Sequence, residues 1–193
     1  LDKEPDSRKE KAIGVAKSMN FKIEPLNINT SGKVWEISDD GKTLIQPLTS
    51  IKGLGGSAMD QILEYRPFNT IEKFLFHKEM RYSKLNKKAL DVLCRSGALK
   101  TLQDDRFTGA KHFWSSVAVD RPRKEANLLE NIETYADEGD FSTEERIQYL
   151  TDLTGVFPIY LVMKDETLAQ LNEYGVPAIS EYDKDLGLVW FIP

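Results

Sequence analysis

The sequence "SIKGLGGSAMDQIL", residues 50–63, places three glycines within four positions, between a lysine and a helical pattern. Glycine lets a chain turn tightly, and it lets backbone N–H groups approach an anion with no side chain in the way. A helix that starts directly after such a turn adds unpaired N–H groups and the positive end of its dipole. The stretch therefore predicts either a phosphate-binding turn or a plain structural turn between two helices.

Two nucleotide-binding loops are excluded because their partner residues are missing. The P-loop requires Gly-x4-Gly-Lys-Ser/Thr, and the sequence contains no such run. The dinucleotide fingerprint requires a third glycine where this chain has Ala58. It also requires a parallel strand further on, which the helical pattern around Ile62 does not provide.

A DNA-binding hairpin fits the stretch better. Apolar Leu48 and Ile51 precede the Gly-Leu-Gly turn at 53–55, and Ile62 follows at a helical position. This pattern resembles the helix-hairpin-helix motif, whose hairpin holds a DNA backbone phosphate without reading bases. The candidate phosphate-binding residues are Lys52, Gly53, Leu54, Gly55, Gly56 and Ser57. Supporting positive charge is predicted from Lys84, Lys87 and Lys88, with an affinity that falls as salt rises.

The charges along the chain are unevenly distributed. The net charge of −5 argues against a nucleic-acid binder, but residues 51–100 carry ten Lys/Arg against five Asp/Glu. Residues 125–150 carry one against eight, and residues 151–193 carry two against seven. Such asymmetry is a cue for nucleic acid at the basic part. Two solvated faces of opposite charge remain the other interpretation.

The composition, 40% hydrophobic and 30% charged, is typical of a soluble globular chain. No apolar run approaches the roughly 20 residues of a membrane helix, so no membrane partner is expected. Cys94 is the only cysteine, which rules out an intrachain disulfide, and it is expected to be a small core residue. With it, the distant His77 and His112 cannot form an ordinary structural zinc site, and both are expected at the surface or the core edge.

Periodicity and capping signals predict a mainly α chain with a small β part, an α+β class. Two β-rich runs flank Asp40-Gly41, which indicates a β-hairpin, and residues 21–29 are predicted to be extended. In the first half of the chain, helices are predicted at 8–19, after Gly55, after a cap at Asn69 or Thr70, and from Asn86 to Gly97. In the second half they are predicted at 109–119 and 125–139, from a Ser142–Glu145 capping box to Gly155, and from Asp165 to Gly175. A final strand is predicted at 186–193.

A longer resemblance joins these segments. "AKSMNFKIEPLNIN", the hairpin, "SIKGLGGSAMDQILEYRPFNTIEKFL" and "LNKKALDVLCRSGALKTL" follow one another across residues 10–102. This order resembles the bacterial C-family replicative DNA polymerase, the DNA polymerase III alpha subunit. Later, "TGVFPI" keeps a glycine and a proline of the family pattern but has Phe157 in place of its histidine. "LAQLNEYGVPAISE" and "LGLVWFIP" are similar to the family's approach to its OB domain.

Some positions depart from the family. Leu99 and Lys100 stand where it usually shows Phe-Asp, and no clear clamp-binding peptide appears between 103 and 145. The resemblance is therefore to a divergent member, bacterial or phage. The chain begins at Leu1 without an initiator methionine and is expected to be a fragment.

The resemblance implies four segments: 1–47 as the end of a fingers-like region with the β-hairpin, 48–102 as the helix-hairpin-helix DNA-binding module, 103–160 as a helical connecting region, and 161–193 as a helix and first strand leading to an OB-like domain. It implies contact with duplex or template DNA during synthesis, in the cytoplasm of a bacterial or phage-infected cell. Other implied partners are the remaining polymerase domains and a sliding clamp or other replisome proteins.

The resemblance also places nucleotidyl transfer elsewhere. In this family, palm aspartates hold two metal ions, so Mg²⁺ is expected for the full polymerase. The palm precedes the region resembled here, so the fragment is expected to have no cofactor and no polymerase activity of its own. Asp39-Asp40 and Asp104-Asp105 are explained by turns and loops.

Two other classes of protein are weighed against the polymerase. A protein-interaction scaffold would keep the glycine hairpin as a purely structural, degenerate turn and would show no DNA binding. A helix-hairpin-helix nuclease or repair protein would require catalytic carboxylates or a nucleophile constellation, and the sequence shows neither.

Overall fold

The computed structural model describes residues 12, 15–16, 22–155, 157–158 and 161–174. The strands are β1 (Lys22–Glu24), β2 (Glu36–Ile37) and β3 (Thr43–Ile45). The helices are α1 (Gly56–Tyr65), α2 (Ile71–Leu75), α3 (Lys87–Arg95), α4 (Ala110–Trp114), α5 (Glu125–Thr134), α6 (Thr143–Thr154) and α7 (Asp165–Glu173). The mainly helical α+β class is confirmed.

Some predictions fall on residues outside those described. Ala12, Val15 and Ala16 are helical, as predicted, but the rest of the 8–19 helix lies outside the described residues. The C-terminal strand at 186–193 and the helix end at Gly175 lie outside them too. No helix in the described part of the chain combines the length and apolar character needed to cross a bilayer.

The three strands form one small sheet with β3 in the centre. β2 and β3 pair antiparallel, with Ile37 opposite Leu44, so the predicted β-hairpin is confirmed. Its turn depends on Asp40, whose carboxylate accepts the N–H groups of Lys42 and Thr43 at 2.8 and 3.0 Å. The sequence predicts only an extended segment at β1, and in the structure this strand pairs in parallel with β3.

A single buried cluster holds the fold together. It runs from Leu26 in the first predicted segment to Leu153 at the end of α6, and it includes residues of α1, α2 and α3. Its largest fully buried side chains include Ile28, Leu48, Ile62, Phe68, Phe74, Leu90, Leu93, Leu99 and Leu128. The cluster takes in parts of three of the four predicted segments, whose boundaries stay a prediction.

The predicted capping residues act as caps. The Thr70 hydroxyl accepts the Lys73 N–H at the start of α2, and the Asn86 side-chain oxygen Oδ1 accepts the Ala89 N–H at 2.9 Å. Ser142 and Glu145 form the predicted capping box of α6. These side chains satisfy helix N–H groups that would otherwise have no intrahelical partner.

The structure contradicts the predicted position of His112, a residue of α4. The helix α4 continues as a π-helical turn over Ser115–Val119. The side chain of His112 is fully buried. The His112 Nδ1 accepts the N–H of Thr108 at 2.9 Å, so the Nε2 carries the proton toward the Ile132 carbonyl oxygen at 2.8 Å. The expectation that His112 lies at the surface or core edge is therefore wrong, because two backbone partners satisfy its ring inside the core.

Cys94 lies on α3, on the face that packs against the core. Burial raises the pKa of its thiol, and the nearby Asp91 carboxylate adds to this effect. A thiol held in its neutral form is a poor nucleophile. The expectation of a packing role for Cys94 is consistent with this environment.

Candidate nucleic-acid interface

The glycine hairpin joins a very short helix to α1. Leu48–Ser50 form one turn of 3-10 helix, and α1 begins directly after Gly55. Gly53 has φ +87°, a left-handed conformation that favours glycine. The Leu54 N–H closes the turn by donating to the Ile51 carbonyl oxygen at 3.2 Å. The first helix of the predicted motif is thus a single turn, and the hairpin and second helix are complete.

The hairpin presents its backbone to solvent. Lys52, Gly53, Gly55, Gly56 and Ser57 are exposed, whereas the Leu54 side chain packs against the buried cluster. The backbone N–H groups of Gly53, Gly55, Gly56 and Ser57 have no hydrogen-bond partner among the described residues. Gly55 is the N-cap of α1 and offers no side chain to those N–H groups. Exposed residues with unpartnered N–H groups therefore occupy both the turn and the N-terminus of α1, a combination that suits an oxyanion.

The local charge favours an anion at this place. The first turn of α1 has no acidic residue, so no carboxylate of that turn opposes the positive end of the helix dipole. Asp60, one turn further on, is paired with the ammonium of Lys33 at 2.7 Å. The acidic side chain nearest in sequence is therefore matched by a cation.

The three lysines predicted to support the hairpin take different positions. Lys88 lies beside it, because a Cβ built on Gly53 would come 3.6 Å from the Lys88 Cε. Lys87 turns elsewhere, and its ammonium donates to the Val119 carbonyl oxygen at 2.8 Å. Lys84 is exposed in the turn before α3, with its N–H on the Arg81 carbonyl oxygen. The structure brings Lys88 to residues 52–57 and directs the Lys87 ammonium to the π-helical turn.

The sequence does not predict the long-range contacts that support the hairpin. The Lys52 N–H donates to the Leu153 carbonyl oxygen at 2.7 Å, so the last turn of α6 supports the hairpin. The side chains of Val92 and Lys88 on α3 lie against Gly53. No local pattern marks these contacts, because they join segments far apart in the chain.

A polar and aromatic cluster positions α3 itself. Asp91 on α3 accepts the indole N–H of Trp114 at 2.8 Å and forms a two-point ion pair with Arg95. The Arg95 guanidinium lies 4.9 Å from the centre of the Tyr149 ring on α6. Trp114 also packs against Phe141, with ring centres 5.7 Å apart. Trp114 thus packs α4 against α3, and these contacts fix the position of α3 next to the hairpin.

The other polar groups do not form a metal site. Among the residues the structure describes, no group of three or more His, Cys, Asp or Glu side chains could hold a metal ion. The Mg²⁺ expected for a full polymerase therefore has no matching ligand set in this part of the chain. Asp104 is paired with Arg106, which holds the pKa of the Asp104 carboxyl below its usual value.

A small open cavity of about 190 Å³ lies at the start of α5. Its lining includes Asp120 and Glu130 as well as Arg121 and Arg123. Because carboxylates and guanidinium groups face the same space, their charges offset each other and a phosphate gains little there. The glycine hairpin, with its unpartnered N–H groups and a helix that has no acidic residue in its first turn, is the stronger candidate for an anion site.

Comparison with known proteins identifies a family motif and several similar proteins. A family model described as a helix-hairpin-helix motif matches residues 20–109. The DNA polymerase III subunit alpha of Pseudomonas aeruginosa is 29% identical over 125 residues, which is 63% of this chain and 10% of that protein. That of Pseudomonas fluorescens is 31% identical over 93 residues, 47% of this chain and 8% of that protein. That of Thermotoga maritima is 26% identical over 95 residues, 49% of this chain and 11% of that protein.

These matches confirm the resemblance that the sequence motifs predict. The chain contains a helix-hairpin-helix region and is similar to a short segment of DNA polymerase III alpha subunits, at the low identity of a divergent relative. It spans about a tenth of the length of the curated relatives that it matches.

Proposed function

We propose that this chain is a DNA-binding part of a replicative polymerase similar to the DNA polymerase III alpha subunit. In this role it contacts the phosphates of duplex or template DNA, without sequence specificity, during DNA synthesis. The observation that carries the proposal is the set of four exposed, unpartnered N–H groups at Gly53, Gly55, Gly56 and Ser57. The family match and the alpha-subunit similarity supply the nature of the anion.

In the proposed mechanism, a phosphate oxygen binds directly to backbone N–H groups. It approaches the turn between Gly53 and Ser57, where no side chain separates it from these donors. The positive end of the α1 dipole adds to the attraction. Lys52 and Lys88 contribute charge from either side, with Lys88 placed next to Gly53. Phosphate contacts of this kind fix position on DNA and carry no base sequence.

The remaining functions of such a polymerase belong to other parts of it. We propose that palm aspartates and Mg²⁺ outside this chain perform nucleotidyl transfer, and that this chain alone is inactive in primer extension. Its proposed partners are DNA and the other polymerase domains, and a sliding clamp or other replisome proteins as further candidates. Its proposed location is the cytoplasm of a bacterial or phage-infected cell.

The proposal is tested by a pair of substitutions at one exposed backbone position. Gly55 has φ −69° and no atom within 4 Å of a built Cβ, so a side chain fits there without strain. Asn and Asp are both good N-caps and differ mainly in charge. Gly55→Asp places a carboxylate where the phosphate should lie, and Gly55→Asn is the neutral control. We expect Gly55→Asp to bind short duplexes about tenfold more weakly than Gly55→Asn.

The measurement is fluorescence anisotropy with duplexes of two unrelated sequences at two salt concentrations. Both sequences should bind alike, and the difference between the two variants should shrink as salt rises. Equal affinities for the two variants would instead assign the hairpin to packing. That result would favour the interaction scaffold, in which the hairpin is a purely structural turn held by the Lys52–Leu153 hydrogen bond.

A further inference from the structure

Tyr82 is an exposed aromatic residue in the basic part of the chain. It lies in the turn that precedes α3 and keeps 48% of its surface exposed. Its hydroxyl has no hydrogen-bond partner among the described residues, and none of their rings contacts it. A tyrosine that served packing alone would bury its ring and satisfy its hydroxyl.

The inner face of the Tyr82 ring is held by a buried arginine. The Arg121 guanidinium carbon lies 3.3 Å from the ring centre, and Arg121 itself is only 7% exposed. The Arg121 Nη1 also donates to the Tyr82 carbonyl oxygen at 2.8 Å. These two contacts hold one face of the ring and fix its backbone, while the residue as a whole stays 48% exposed.

The surroundings of the ring are cationic. Residues 78–88 contain five Lys/Arg and one acidic residue. Arg81 and Lys84 belong to the same turn as Tyr82, and both are exposed. A fixed aromatic face within a field of positive charge is the arrangement that proteins use to stack unpaired nucleobases while attracting their phosphates.

Tyr82 and the hairpin both lie next to the start of α3. Lys88 lies beside Gly53, and its neighbour Lys87 reaches the Val119 carbonyl oxygen, two residues before Arg121. Successive helical residues point in directions about 100° apart. The hairpin and the Tyr82 platform therefore flank the first turn of one helix, whose diameter with side chains is about 10–12 Å.

We propose that Tyr82 is a stacking platform for an unpaired base of a DNA strand that leaves the duplex held at the hairpin. This inference rests on the proposed DNA contact of the chain and adds a second, single-stranded contact to it. The chemical class recognised is an unpaired nucleobase on a DNA strand, independent of sequence, because every base has a π-face.

The experiment compares a blunt duplex with the same duplex carrying a single-stranded extension that contains 2-aminopurine. Tyr82→Ala removes the ring, and Tyr82→Phe keeps it and serves as the control. We expect Tyr82→Ala to weaken binding of the extended DNA by about 5- to 100-fold per stacked base. Its affinity for the blunt duplex should not change, and it should lose the quenching of 2-aminopurine that the wild type and Tyr82→Phe show.

Two results would overturn the platform: equal binding of the extended DNA by all three proteins, or an equal loss on both DNAs. If circular dichroism shows that Tyr82→Ala is unfolded, Tyr82→Leu replaces it, because leucine covers Arg121 but offers no flat face. The proposals for the hairpin and for Tyr82 are overturned by different results. Gly55→Asp weakens both DNAs if the hairpin binds phosphate, whereas selective loss with Tyr82→Ala and no effect of Gly55→Asp supports the platform alone.

Discussion

The backbone N–H of Lys52 donates a hydrogen bond to the carbonyl oxygen of Leu153, 2.7 Å away. This bond joins the first residue of the glycine hairpin to the last turn of α6, far along the chain. The N–H groups of Lys52 and Leu54 thus hold the turn, whereas those of Gly53 and Gly55–Ser57 have no hydrogen-bond partner among the described residues. The hairpin is positioned by a tertiary contact, so its geometry depends on the packing of α6.

Because α6 supports the hairpin, a substitution in α6 should lower both the free energy of unfolding and the protection of the Lys52 amide from hydrogen exchange. Leu153 is 8% exposed, and Leu153→Ala should lower the free energy of unfolding by about 2–4 kcal/mol through the cavity that it leaves. The amide of Lys52 should then exchange with deuterium much faster in the native state. Leu129→Ala on α5, where the leucine is 52% exposed, is the matched control and should change neither quantity appreciably. Unchanged Lys52 exchange in Leu153→Ala would show that α6 does not support the hairpin.

The left-handed backbone at Gly53 predicts a position-specific penalty. Gly53→Ala forces a Cβ into φ +87° and should lower the free energy of unfolding by about 1–2 kcal/mol. Gly56→Ala is the control, because Gly56 is helical and a built Cβ there meets no atom within 4 Å. That change should be neutral or mildly stabilising. Urea denaturation measures both, and equal effects of the two changes would contradict the turn geometry.

The different directions of Lys87 and Lys88 predict unequal effects on duplex binding. Lys88→Gln should weaken binding of a blunt duplex severalfold and reduce the slope of log affinity against log salt by about 1. Lys87→Gln, one residue away on α3, should have the smaller effect, because the Lys87 ammonium is directed to the Val119 carbonyl oxygen. Anisotropy titrations over a salt series compare the two. A larger effect of Lys87→Gln would mean that DNA lies on the other side of α3.

The β-hairpin turn predicts a pH dependence at low pH. The Ser38 hydroxyl, the Lys42 N–H and the Thr43 hydroxyl donate to Asp40 and lower the pKa of its carboxyl from 3.8 to about 2. Since the pKa is lower in the folded state, this carboxylate stabilises the fold above its unfolded pKa. The contribution disappears as the pH falls from about 4 to about 2.

An NMR titration of the Asp40 carboxyl measures this directly. Ser38→Ala removes the largest contribution and should raise the pKa of Asp40 toward its ordinary value. Asp40→Asn should remove the matching pH dependence of stability between about 4 and about 2. A carboxyl that titrates at its ordinary pKa in the wild type would rule out these hydrogen bonds in solution.

Local signals predicted most elements of the fold. Asn86 and the Ser142–Glu145 pair mark helix starts because their side chains satisfy N–H groups a few residues away, within the same short segment. Asp40-Gly41 marks the β-hairpin for the same reason, since the turn and its hydrogen bonds lie within the stretch itself. The spacing of the glycines at 53–56 predicts the hairpin, and this spacing is also a local property.

The features that sequence reasoning missed are long-range. The parallel pairing of β1 with β3 depends on a register between distant segments, and no local pattern records it. The same holds for the Lys52–Leu153 bond. His112 has the polarity of a surface residue, and only the folded core supplies the carbonyl of Ile132 that allows its burial. Adjacent lysines look equivalent in the sequence, and the packing of α3 alone separates Lys88 from Lys87.

Binding of DNA phosphate by the unpartnered N–H groups of the hairpin can be observed at the amides themselves. A titration of ¹⁵N-labelled protein with short duplexes of unrelated sequence is followed by ¹H–¹⁵N NMR. We expect the amide signals of Gly55, Gly56 and Ser57 to show the largest shifts, equal for every sequence and reversed by salt. Amide signals that stay in place while residues elsewhere shift would contradict it and leave the hairpin as a structural turn.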